Sequence, residues 1–336
     1  MVRLASLAVL SSLSGFALAS GKWFDHVVTV FLENTDFDQA KTQAYWQSLA
    51  ARGILLTQYG GVTHPSLPNY LAVAAGTTFG ILDDAHYDIN AIHIGDFLEA
   101  KNVTWKTYQE DYPGDFTYCF VADNTPAPLK LYRRKHNPFI SFSNVNTNTS
   151  RCTSHIVNSK DLDADIANNA IPDYSFYIPN MINDGHDSNT LGNVSVMTNW
   201  LENFLEPKLN NSAFSNTLFV ITFDESDVSN DEGNKGTNYV YTVLIGSAVK
   251  VANVADATQY THFNLLATIE ANWDLGSLGR NDSVVKNIIG LNGTALPNPY
   301  YNETLASLQS TNAGAANTVA SFGITVLAVL AAAMLL

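Results

Sequence analysis

Four short stretches of this 336-residue chain gather the side chains that can do chemistry: Glu33-Asn34, the loop Gly61 to Tyr70, the run Asn180 to Asp187, and Asp224-Glu225. Within the second, Ser66 stands where a loop turns into a helix. Pro68 fits a first helical turn, because that position needs no N–H donor and prefers the φ that proline already has. Leu71 to Ala75 continue the helix and Gly76 closes it. The free N–H groups and the dipole at a helix N-terminus favour negative charge, so this spot suits a phosphate-like anion and helps ionise a hydroxyl. Ser66 is therefore either a nucleophile or simply a helix cap, the commonest role for a serine there. The carboxylates and amides of the other stretches are oxygen ligands for a divalent cation, with a neutral histidine as a further ligand or phosphate contact. Taken singly, each pair reads equally well as a solvated loop carboxylate or a cap.

What would bring such distant groups together is an alternation of strands and helices. His26 to Leu32 is a near-continuous β-branched and apolar run, the pattern of a strand buried on both faces of a parallel sheet, and it ends at Glu33-Asn34. Asp38 to Arg52 has helical spacing with Gly53 as its stop. Val103 to Tyr108, Tyr174 to Ile178, Thr217 to Phe223 and Val240 to Ile245 read as further strands, and Ser195 to Leu209 and His262 to Trp273 as further helices. The segment 113–150, rich in Pro, Asn and aromatics, reads as an inserted loop or cap. No repeat or linker divides the chain, so one α/β domain over residues 21–309 with a mostly parallel sheet is expected. In open α/β sheets ligand sites lie outside the carboxyl ends of the strands, which is where Glu33, Asn34, Asp224 and Glu225 fall.

The ends carry addresses. Residues 1–20 have one early charge, Arg3, then an apolar run and the small-residue site Ala17-Leu18-Ala19, the pattern of a secretory signal peptide. Residues 319–336 are apolar to the last residue and follow a small, polar stretch, so 310–336 reads as a glycosylphosphatidylinositol attachment signal with the lipid at Asn312 or Gly314; a C-terminal transmembrane helix is the other reading. Seven sequons, at Asn102, Asn148, Asn193, Asn210, Asn281, Asn292 and Asn302, suit a glycosylated protein of the cell surface, at the plasma membrane or cell wall and partly secreted. The two cysteines, Cys119 and Cys152, most simply pair in an oxidising compartment. With 31 acidic against 17 basic residues and a net charge of −14, nucleic acid is excluded as a partner.

In order along the chain, Glu33-Asn34, His64-Pro65-Ser66-Leu67-Pro68-Asn69-Tyr70, Asn183-Asp184-Gly185-His186-Asp187, Phe223-Asp224-Glu225, and Thr261-His262-Phe263-Asn264-Leu265-Leu266 with Ile269-Glu270 resemble the phosphoesterase family of fungal secreted acid phosphatases. These are related to bacterial acid phosphatases and phospholipases C within the alkaline phosphatase superfamily. The resemblance implies a three-layer α/β/α fold and hydrolysis of small phosphate monoesters through a phosphoserine, for phosphate scavenging. It implies Ser66 as nucleophile and Asn69 as a donor to a phosphoryl oxygen. Glu33, Asn34, Asp224 and Glu225 would hold a divalent metal whose identity and number are open. Asp184, His186 and His262 would meet the phosphate, a protonated histidine standing in for a second ion and protonating the leaving oxygen. Asp224 is an alternative proton donor if no metal binds. A phosphodiesterase or phospholipase C activity is the near alternative, and a non-catalytic anchored wall glycoprotein the alternative of another class. A classical serine esterase is disfavoured, since no Gly-x-Ser-x-Gly elbow surrounds Ser66.

Overall fold

The computed structural model describes residues 20–123, 125, 130–188, 194–227, 238–288, 291 and 296–297. The signal and attachment segments, together with Asn193, Asn292, Asn302, Asn312 and Gly314, lie outside the described residues. Among the described residues no helix is long and apolar enough to cross a membrane. The chain runs β1 (His26–Leu32), α1 (Phe37–Lys41), α2 (Ala44–Arg52), β2 (Ile54–Gly60), α3 (Ser66–Ala75), α4 (Ile94–Ala100), β3 (Trp105–Gln109), α5 (Ser143–Asn146), α6 (Thr149–His155), β4 (Ile156–Asn158), α7 (Asp161–Ala167), β5 (Tyr174–Ile178), α8 (Ser195–Leu209), β6 (Thr217–Phe223), β7 (Thr242–Ile245), β8 (Val254–Thr261), α9 (His262–Asn272) and β9 (Leu296–Pro297).

The strands form a nine-stranded sheet in the order β4-β3-β5-β1-β6-β7-β2-β8-β9. β1 lies between β5 and β6 and is parallel to both, whereas β7 is antiparallel to its neighbours β6 and β2. Every residue of β1, β5 and β6 is buried, as their unbroken apolar runs require. Register then sorts the side chains into layers. Leu32 pairs with Phe223, so both point to the face opposite Phe31. On one face Trp46 of α2 stacks on Phe223 at 5.1 Å between ring centroids. On the other, Phe31 meets Tyr70 of α3 at 5.7 Å and His262 of α9 at 5.3 Å. Helices thus cover both faces, the α/β/α arrangement expected.

The departures have local causes. The helix expected over Asp38 to Arg52 is two helices, because Gln43 takes an extended conformation (ψ 130°) as the cap of α2. β2, directly after Gly53, and β8, with the polar sequence Val-Ala-Asp-Ala-Thr-Gln-Tyr-Thr, were not expected. They pair with each other in parallel and complete the sheet beyond β7. Cys119 and Cys152 form the expected disulfide, with their Cα atoms 5.8 Å apart. Within 113–150 the chain makes two 3-10 turns, Arg134–His136 and Pro138–Ser141, and both pack on α3.

Candidate active site

Ser66 begins α3, whose cap residue is Pro65 and makes no side-chain capping bond. The hydroxyl is therefore not occupied in capping the helix. It is buried, and Oγ lies 3.2 Å from Glu33 Oε2, 3.5 Å from Glu225 Oε1 and 3.3 Å from Lys135 Nζ. A hydroxyl carries one proton and two lone pairs. It donates to a carboxylate and accepts from the ammonium, an arrangement that readies the oxygen to attack.

The carboxylates come from strand ends. Glu33 and Asp224 are the residues just past β1 and β6, and the backbone ladder continues beyond both strands: Asp224 N–H donates to the Leu32 carbonyl, and Glu33 N–H to the Asp184 carbonyl. Glu33, Asp184 and Asp224 are fully buried side by side. Burial, with repulsion from Asp224, pushes the Glu33 carboxyl well up; burial and Glu33 do the same to Asp184, and burial and Glu225 to Asp224. Tyr70, one turn into α3, donates to Glu33 Oε1 at 2.5 Å. His64 Nδ1 lies 2.6 Å from Glu225 Oε2, a specific contact at a position that reads in sequence as an ordinary turn residue.

This donor set fits a divalent cation. Among the described residues, Asp184 Oδ2 and Asp224 Oδ2 are buried without a hydrogen-bond partner, and a cluster of buried carboxylates wants positive charge. Asn34 and Glu225 line a cavity of about 340 Å³ together with Ser66, Lys135 and His186. Glu33, His136 and His186 also offer ligand atoms within 4.8 Å of one another.

Three of the expected phosphate contacts, Asn69, His262 and Asp184, hold partners within the protein. Asn69 accepts from Val62 N–H (2.7 Å) and Thr63 N–H (3.1 Å) and donates to the Thr63 and Pro65 carbonyls. Its amide thus pins the loop that presents Ser66, and Nδ2 also lies 3.4 Å from Oε2 of the cavity-lining Glu225. The His262 ring is buried, with Nε2 2.6 Å from the Asp224 carbonyl and Nδ1 3.1 Å from the Tyr59 hydroxyl. Both nitrogens are engaged, and the histidine braces the backbone behind Asp224. Asp184 likewise does not face the cavity: it accepts from His186 N–H at 2.8 Å and lies 3.5 Å from His136 Nδ1. His186 does line the cavity.

The surroundings oppose charge on the histidines. Burial, then the neighbouring lysine, hold His136 and His186 below the ordinary imidazole value, and burial holds His262 at about 4. The positive charge is instead that of Lys135, whose ammonium reaches Ser66 Oγ, His186 Nε2 (3.3 Å) and Asp84 Oδ2 (2.8 Å). Burial opposes its charge but Glu33 and Asp84 outweigh that, and its pKa is raised. Lys135, His136 and Asp84 were not found from sequence. The one signal was the basic run Arg133-Arg134-Lys135-His136 inside an acidic chain.

The chain belongs to the Phosphoesterase family, whose pattern matches residues 35–276. It is 38% identical to an acid phosphatase of Aspergillus fumigatus over 267 residues, which is 78% of this chain and 58% of that protein. The chain thus spans under two thirds of that relative's length. It is 32% identical to a phosphatidylinositol-3-phosphatase of Mycobacterium tuberculosis over 273 residues, 79% of this chain and 82% of that protein. Among solved structures, a protein of the alkaline phosphatase superfamily from Vibrio parahaemolyticus shares the fold, with a TM-score of 0.50 at 14% identity, covering 80% of this chain and 71% of that one.

Proposed function

We propose that this chain is an acid phosphatase that hydrolyses phosphate monoesters of small molecules through a phosphoserine at Ser66. The observation that carries this reading is a buried serine hydroxyl held between two carboxylates and an ammonium at the carboxyl ends of the strands. Glu33 Oε2 accepts the Ser66 proton as Oγ forms its bond to phosphorus and the ester P–O bond breaks. The departing oxygen takes a proton from one water; a second water then attacks phosphorus, the P–Oγ bond breaks, Glu33 returns its proton to Oγ, and a proton of the second water neutralises the hydroxide left by the first, freeing phosphate. Lys135 offsets charge on Oγ and on the phosphoryl oxygens, where a hydrogen bond between charged partners is strong. Asn69 and Tyr70 keep the serine loop and Glu33 in position. A divalent cation held by Glu33, Asn34, Asp224 and Glu225 would neutralise the phosphate and lower the pKa of the serine hydroxyl.

The kinship to fungal acid phosphatases supports a monoesterase acting on phosphorylated small molecules. We further propose that it works at the cell surface, held by a lipid anchor, where it would release phosphate for uptake; the sequons described at Asn102, Asn148, Asn210 and Asn281 sit on exposed residues, which suits glycosylation. The test is rapid acid quenching with a labelled monoester: labelled Ser66 is expected in the wild type, and Ser66→Ala should lose both label and turnover by several orders of magnitude. Retention of turnover in that variant would remove Ser66 as the nucleophile, and absence of both label and turnover in the wild type would leave the non-catalytic glycoprotein reading standing. Metal analysis before and after chelation tests the cation, and activity unchanged by chelation with no ion found would remove it.

A further inference from the structure

A second cavity, of about 350 Å³, adjoins the first and shares Asp84, Lys135 and His186 with it. Leu67, Tyr87 and Met181 give it an apolar wall, and Arg133 and Arg134 stand in its lining. A group esterified to a phosphate at Ser66 has to extend somewhere, and this is the space that opens beside Lys135.

The charge in this cavity is uneven once neighbours are paired. Asp84 is taken by Lys135 at 2.8 Å, and Asp123 by His86 at 2.6 Å. Arg134 is only 3% exposed, and its Nη2 donates to the Tyr87 carbonyl, Asp88 Oδ1 and the Ile140 carbonyl. Among the described residues its Nε and Nη1 have no hydrogen-bond partner, and neither has the buried Nε of Arg133. Arg133 also makes no ion pair among the described residues. A buried N–H without a partner is unfavourable, and a guanidinium edge is shaped to meet a planar or tetrahedral oxyanion. Arg133, half-buried in the lining and without an ion pair among the described residues, with the buried charge of Arg134 behind it, provides the chemistry of an anion subsite.

We infer that this second cavity receives the leaving group and selects substrates whose leaving group carries its own oxyanion, a carboxylate or a second phosphate, bound by Arg133 with Arg134 behind it. The inference rests on the proposed phosphatase reading and deepens it. It makes the enzyme a selector of phosphorylated acids and bisphosphates over neutral phosphorylated alcohols.

The test uses the full chain and three substrates on one carbon skeleton: glycerol 1-phosphate, 3-phosphoglycerate and glycerol 1,3-bisphosphate. The wild type should favour the two charged substrates by at least about tenfold in kcat/KM. Arg133→Gln should lose at least about tenfold more on those two than on glycerol 1-phosphate, with the loss mainly in KM, and Arg133→Lys should restore part of the preference. A preference for one charged substrate alone identifies which oxyanion the site takes. Turnover of all three without preference, or an Arg133→Gln loss equal on all three, overturns the inference and leaves the phosphatase reading intact. Failure to turn over any of them overturns both.

Discussion

Replacing Lys135 by methionine keeps most of the side-chain volume and removes the ammonium from beside the nucleophile. Nζ lies 3.3 Å from Ser66 Oγ in a pocket where the lysine side chain is 17% exposed. At an effective dielectric of about 20, a full unit charge on that oxygen would interact with the ammonium by roughly 5 kcal/mol. If about half a charge develops on the oxygens facing Lys135 in the transition state, the differential stabilisation is about 2.5 kcal/mol, and Lys135→Met should lower kcat/KM by roughly 70-fold. The same substitution leaves Asp84 without its cation, so the loss should not fall short of that figure for lack of a remaining charge. Because the contact is largely out of water, the ratio of wild type to variant should change little with added salt. The assay is steady-state hydrolysis of an aryl phosphate by both proteins at two ionic strengths, with circular dichroism and a thermal melt to show that the variant is folded. A folded Lys135→Met protein within about threefold of the wild type would refute the assignment of Lys135 as the cation that faces the nucleophile.

Glu270 in α9 is buried next to Asp282; burial, then Asp282, raise its pKa from the ordinary 4.5 to about 8. Between those values the folded protein holds a proton that the unfolded chain has lost, so this group stabilises in acid and its contribution is lost as pH rises. Glu270→Gln should therefore flatten the fall in melting temperature between pH 5 and 8, and an unchanged slope would count against it. Replacing Cys119 and Cys152 by serine opens a loop with a separation of 33 residues and should cost about 3–4 kcal/mol, read by denaturant unfolding. A phospholipase specific for phosphatidylinositol should release the enzyme from intact cells, whereas retention on the cells would contradict the lipid anchor.

The central strands were legible because they are buried on both faces: Tyr174–Ile178 and Thr217–Phe223 carry so little polar character that only a sheet interior suits them. β8 was not, because Asp256, Thr258 and Gln259 hide a strand whose register comes from its partner β2. The site divides in the same way. Ser66, Glu33 and Asp224 could be found because each stands at a junction that topology sends to the same end of the sheet. Lys135 reaches the serine from an insertion about 70 residues away in sequence, His136 reaches Glu33 from the same insertion, and no spacing rule carries that information. The motif around His262 was visible yet serves a structural end: Thr261 and Asn264 cap α9, and the imidazole braces the Asp224 carbonyl.

The cross-link between Cys119 and Cys152 closes the very stretch that delivers Lys135, His136 and both arginines. A chain made in a reducing compartment would have its sheet, its serine and its acids, but the cationic half of its chemistry would hang from a slack tether. Loss of that one bond would therefore tell on turnover before it told on the sheet.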